Sequence, residues 1–167
     1  YFPLDTPEGE GASVLAAAIS PQMVSQIRRT CEEAGLAPKR LVLRPCAAAS
    51  LLIHRSGPVS HRVRLFVDLL ADEADLTVLV ARDIVLMRTV RLPAVHGEDN
   101  ATGAQAKALG GEIRRTIASA QNQLGGQRVG QVVLCGDDDE HREMAKELSQ
   151  RLDLPVEHFD PFDTLRR

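Results

Sequence analysis

The chain has 167 residues, a net charge of −3 at pH 7, 44% apolar residues and only 3% aromatic ones. That length suits one domain or two small subdomains, and a core of Val, Leu, Ile and Ala suits a buried sheet covered by helices. The charge offers no basic excess for nucleic acid or an anionic membrane surface.

Residues Tyr1–Gly11, rich in proline, glycine and acids, read as an extended or mobile lead-in. Ala12–Ile19 is a small-apolar run and reads as a buried strand. Ser20-Pro21 is an N-cap followed by proline at the first helical position. The helix Gln22–Ala34 puts Met23, Ile27 and Cys31 on one face, and Gly35 stops it. Arg40–Leu43 reads as a short strand and Cys46–Ile53 as an alanine-rich helix, followed by a loop at Ser56–Ser60. Arg62–Leu70, Asp75–Val80 and Ile84–Leu92 are β-rich runs with very short connections, which demand an antiparallel meander. Pro93–Thr102 reads as a loop. Gln105–Leu124 is a helix interrupted by Gly110-Gly111, which marks either a close contact or a helix start nearer Gly111. Arg128–Cys135 is a strand, Asp139–Leu152 a helix and Val156–Phe159 a last strand.

The apolar runs reach only ~8 residues where a spanning helix needs about 20. No signal peptide is visible, and a chain opening on Tyr1 is expected to be a piece of a longer one. The three cysteines, Cys31, Cys46 and Cys135, are too few and too scattered for a disulfide framework or a zinc site, and read as reduced, mostly buried thiols.

Three antiparallel strands, then helix, strand, helix and strand, is the order of a ribonuclease H-like core. The expected fold class is therefore α/β, a mixed sheet with a three-stranded meander and flanking helices. The expected division is a β-α-β-α segment over 1–60 and the core over 61–167.

Particular segments sharpen this. Gly35-Leu36-Ala37-Pro38 leads into Leu41-Val42-Leu43 and an alanine-rich helix. A helix carries Leu109, Glu112, Ile113 and Arg115, and Val132-Val133-Leu134-Cys135-Gly136 is followed by Leu154-Pro155-Val156 and Asp160-Pro161-Phe162. From Ala12 to about Phe162 the sequence resembles the PilM-type pilus-assembly proteins of the actin-like ATPase superfamily, to which FtsA and the type II secretion L proteins are similar.

That resemblance implies two phosphate hairpins, the first of them outside this chain. The second has the form Asp-x-Gly and falls on Asp68-Leu69-Leu70, running on to Thr77. Asp68 matches the aspartate that positions Mg²⁺, and Leu70 stands where the family has glycine. Glycine lets backbone N–H groups approach a phosphate, and a leucine side chain obstructs that approach. Asp72, Glu73 and Asp75 would face the phosphates, each like-charge pair about 4 Å apart costing about 1 kcal/mol in bulk water and more in a drier cleft. The adenosine strand keeps Gly136, but Asp137 replaces the next glycine; Asp137–Glu140 equally suit the first turn of a helix.

Among the other candidates, His54, His61, His96, His141 and His158 form no metal-ligating pair, and His96-Gly97-Glu98-Asp99 reads as a surface loop. Ser50 and Ser56 lack a nucleophile elbow. Glu112 and Arg115 match a charged pair on a cleft-lining helix of the family. Arg62, Arg64, Arg88 and Arg91 form either an ordinary solvent-facing surface or a basic strip for an acidic peptide.

The resemblance thus implies a non-catalytic cytoplasmic scaffold, peripheral to the inner membrane, that binds the cytoplasmic segment of an inner-membrane assembly protein. No cofactor, metal, nucleic acid or membrane insertion is expected, and self-association is left open. The alternative is an active actin-like ATPase half-domain, with ATP and Mg²⁺ held by Asp68, Thr77 and Gly136.

Overall fold

A computed structural model describes residues 2–4, 13–55, 62–93, 101–136 and 139–163. The chain divides into two compact units, Tyr1–Arg44 and Pro45–Arg167. The division falls earlier than residue 60, because the helix after Pro45 packs through Ala49 and Leu52 with the sheet of the second unit.

In the first unit, β1 (Phe2–Leu4) pairs antiparallel with β2 (Ser13–Leu15), and α1 spans Pro21–Glu33. Ser20 caps α1 as expected, its hydroxyl accepting from the Met23 N–H at 3.2 Å. Gly35 ends the helix at φ 73°, a conformation that disfavours residues with a Cβ. The buried strand expected over Ala12–Ile19 is reduced to β2, and Val14 is 51% exposed. A two-stranded ribbon has faces that no third layer need cover, so apolar content did not dictate burial. Arg40–Leu43 is not a strand: it meets no neighbour to pair with among the described residues, and Leu41 and Val42 are exposed. Met23 and Ile27 on the apolar face of α1 are likewise exposed, and Cys31 is half-buried rather than in a core.

The second unit begins with α2 (Arg44–Arg55, from Pro45 onward) and continues with β3 (Val63–Leu69), β4 (Glu73–Val80) and β5 (Asp83–Arg91). Next come α3 (Ala101–Ala120), β6 (Val129–Cys135), α4 (Asp139–Arg151) and β7 (Val156–Phe159). The strands lie in the order β5-β4-β3-β6-β7. The meander is antiparallel as its short turns require, and β3–β6 and β6–β7 are parallel. The loops expected at 56–60 and 94–100 lie outside the described residues.

Side-chain alternation splits the sheet into two faces. Val63, Leu65, Val67, Leu76, Val132 and Leu134 pack with Leu109 and Ile113 of α3 and Met144 and Leu148 of α4. Phe66, Leu79, Val133 and Cys135 point the other way, onto Ala49 and Leu52 of α2. Helix α3 runs straight through Gly110 and Gly111, starting well before them. A Cβ on Gly110 would sit 3.8 Å from Leu148, ordinary contact, so no close approach explains that glycine.

The two faces also separate the arginines. Arg64 is 7% exposed on the α2 side, whereas Arg88 reaches Glu112 on α3 at 3.2 Å. They lie on opposite sides of the sheet, so Arg64 and Arg88 do not share one basic strip across the meander. Period-two polarity marks a solvent face only when nothing covers it, and here helices cover both.

Candidate functional site

The turn between β3 and β4 is Leu70-Ala71-Asp72. The Leu70 N–H donates to the Glu73 carbonyl at 2.8 Å, closing the hairpin. The Asp72 carbonyl accepts from the Leu92 N–H at 2.8 Å, and the Ala71 carbonyl accepts from Gln105 Nε2 of α3 at 3.4 Å. The turn is therefore tied to the end of the meander and to the start of α3. It borders a cavity of about 280 Å³ lined by Leu69, Leu70 and Ala71 together with Gln105, Glu140, His141 and Met144. Of the expected site residues, only Leu70 lines this cavity. Its ionisable lining groups are Glu140 and His141, with no Lys or Arg among them.

Asp68 is half-buried, in register with Asp75 on β4 and with Cys135 on β6. Asp75 is not at the turn. It lies inside β4, 1% exposed, and accepts a hydrogen bond from the Thr89 hydroxyl at 2.5 Å. Thr77 lies further along β4, also 1% exposed, between Phe66 and Met87 in the register, so its hydroxyl faces the α2 layer and not the turn. Counting along the sequence placed these two at the tip; the actual turn is tighter, and residues 73 to 80 are strand. Among the expected acids only Asp72 and Glu73 flank it.

Gly136 ends β6, its N–H donating to the Phe159 carbonyl at 3.1 Å. The His141 imidazole lies directly against it: a Cβ on Gly136 would come within 2.0 Å of the ring. Asp137, like His61 and the His96–Asp99 loop, lies outside the described residues. The sequence reading missed His141, Glu140, Gln105 and Met144. One signal was available: helical side chains lean toward the helix N-terminus, so a residue in the first turn of α4 reaches back over the end of the preceding strand.

Glu112 and Arg115 do pair, and Arg88 adds a second guanidinium to the same carboxylate at 3.2 Å. The hydrogen bond from Arg115 holds the Glu112 carboxyl below its usual range; burial pushes the other way, and the charges of Arg115 and Arg88 reinforce the lowering. A depressed folded value makes the stabilisation complete above the ordinary carboxylate range near about 4.3, and it is lost as pH falls through the folded value. The Glu112→Gln variant is expected to show a flatter decline in urea midpoint on acidification below about pH 5. Equal slopes for variant and parent would refute this.

Among the described residues, no group of three or more His, Cys, Asp or Glu is placed to hold a metal, and no helix is long and apolar enough to cross a membrane.

Compared with solved structures, the chain superposes on the PilM-PilN type IV pilus biogenesis complex with a TM-score of 0.65 at 21% identity, over 86% of this chain and 51% of that one. The chain shares the fold of that structure. It spans about half the length of the PilM-PilN chain it matches. A Bacteroides thetaiotaomicron protein with an actin-like ATPase fold matches with a TM-score of 0.44 at 12% identity, over 67% of this chain and 39% of that one. The ethanolamine utilization protein EutJ from Carboxydothermus hydrogenoformans gives 0.43 at 14%, over 62% and 38%. These two are too distant to bear on the argument. No family model matches the sequence, and no curated protein does.

Proposed function

We propose that the protein is a non-catalytic, PilM-like scaffold on the cytoplasmic side of a pilus or secretion platform, where it binds the cytoplasmic segment of an inner-membrane protein. The observation that carries this reading is the cavity beside the β3–β4 turn. Leu70 lines it, at the position the family resemblance assigns to glycine, no Lys or Arg is among its lining residues as described, and the His141 ring occupies the space over Gly136. A triphosphate there would meet the branched Leu70 side chain and the Glu140 carboxylate. The fold likeness to a PilM-PilN complex supports the partner side of the proposal.

Calorimetric titration of the protein with Mg²⁺-ATP is expected to give no binding heat up to millimolar nucleotide. The Leu70→Gly variant is expected to behave the same way, because His141 still covers Gly136. Micromolar affinity in the parent protein would overturn the reading and favour an active ATPase half-domain.

A further inference from the structure

Among the described residues, only Leu51 and Phe162 of the large exposed apolar side chains lie outside the first unit. Within that unit, a hollow of about 220 Å³ runs between α1 and the segment 38–41. Val24, Ile27, Arg28 and Cys31 form its helical wall, at the spacing of a single helix face. Pro38, Lys39, Arg40 and Leu41 form the other wall. Ile27 is 38% exposed and Leu41 47% exposed, so both walls stand open to solvent. The hollow is smaller than the about 300–1,000 Å³ of small-molecule pockets, and suits an apolar anchor side chain of a polypeptide.

The charge selects the occupant. The three ionisable side chains that close the hollow besides the Cys31 thiol are Arg28, Lys39 and Arg40, all cationic. None of them enters an ion pair or a side-chain hydrogen bond among the described residues. The acids in the described part of this unit are Glu32 and Glu33. Neither borders the hollow, and Glu33 is already paired with Arg29 at 2.8 Å. An apolar groove rimmed by unneutralised cations is complementary to an aliphatic side chain flanked by carboxylates. A second copy meeting this face to face would set the same cations against one another, and a flat lipid surface would touch the rim without filling the hollow.

We propose that the groove between α1 and residues 38–41 is a docking site for an acidic polypeptide segment that carries a bulky aliphatic anchor. The anchor enters between Ile27 and Leu41, against Val24 and Cys31, and the flanking carboxylates meet Arg28, Lys39 and Arg40. The buried anchor supplies affinity, while the rim charges select the partner and speed its approach. The site lies within one unit and rests neither on the nucleotide reading nor on the scaffold reading, so either can fail without the other.

The probes are three short acetylated peptides: leucine among glutamates, leucine among lysines, and alanine among glutamates. Each is titrated into the whole chain, with binding followed by fluorescence anisotropy of a dye on the peptide. A second readout locates the site: Cys31 is half-buried in the hollow whereas Cys46 and Cys135 are buried, so iodoacetamide alkylation of the folded protein reports on Cys31. The glutamate–leucine peptide is expected to bind about tenfold more tightly than either control, to weaken with added salt, and to slow Cys31 alkylation. Lys39→Glu combined with Arg40→Glu, two exposed positions, is expected to shift the preference to the lysine peptide. Ile27→Asp is expected to abolish binding with the helical circular dichroism unchanged. Absence of binding at millimolar peptide, equal binding of the acidic and basic leucine peptides, or unaltered Cys31 alkylation in the bound state would each overturn the proposal. So would stronger protection of Cys31 by phosphatidylglycerol vesicles than by the peptide, or protection by self-association of the chain.

Discussion

Replacing Phe66 with alanine is expected to destabilise the second unit by about 3–5 kcal/mol. Phe66 is 1% exposed and sits in the layer between the sheet and α2, among Ala49, Leu52, Leu79 and Val133. It also meets Phe159 edge-on, with ring centroids 6.1 Å apart and planes at 76°. Phe159 is the one other aromatic side chain packed against this cluster, and it is only partly buried. The change removes a buried ring and leaves a cavity among Leu52, Leu79 and Val133 that the surrounding sheet and helix fill only in part. Folded domains have about 5–15 kcal/mol in total, so the variant is left marginal. Urea unfolding followed by circular dichroism measures the loss. Phe66→Leu, which keeps most of the volume, is expected to cost less than about 1.5 kcal/mol. A loss below about 1 kcal/mol for Phe66→Ala would mean that α2 is not seated on this face as described.

The second large effect is expected at Gly136. Its backbone φ is unremarkable; what requires glycine is the neighbour. A Cβ would lie 2.0 Å from His141 Cγ and Cδ2 and 2.6 Å from His141 Cβ, all far inside van der Waals contact. Relief needs a movement of α4 or of the end of β6, so Gly136→Ala is expected to cost about 1–3 kcal/mol as an overpacking change. His141→Gly removes all three obstructing atoms. In the double variant the alanine should then be tolerated, giving a coupling of about 0.5–3 kcal/mol in a double-mutant cycle. Purely additive losses would show that Gly136 is kept for some other reason. The cycle bears directly on function, because it separates a glycine held for packing from one held for a nucleotide.

The site was legible in the sequence only in part. The hairpin that follows Asp68-Leu69 was legible, because a connection of a few residues between β-rich runs forces an antiparallel turn. The placement of Asp75 and Thr77 at its tip was not, since turn length depends on where the ladder closes. The Leu70 N–H bonds to Glu73, so strand resumes there and carries both residues into the sheet.

Local chemistry decided the elements. Ser20 and Gly35 bound α1, short connections force the β3–β5 meander to be antiparallel, and leucine and isoleucine at helical spacing mark the inner face of α3. These signals work because capping, turn closure and amphipathic spacing act over a few residues. What the sequence alone could not decide is which neighbour each face meets. The run that looked like core holds only the short strand Ser13–Leu15 with Val14 exposed, Arg64 looked like surface and lies under α2, and His141 looked like one of five unremarkable histidines and fills the space over Gly136. Burial is a property of the opposing layer, which is contributed by residues distant in the chain, and only the tertiary structure brings them together.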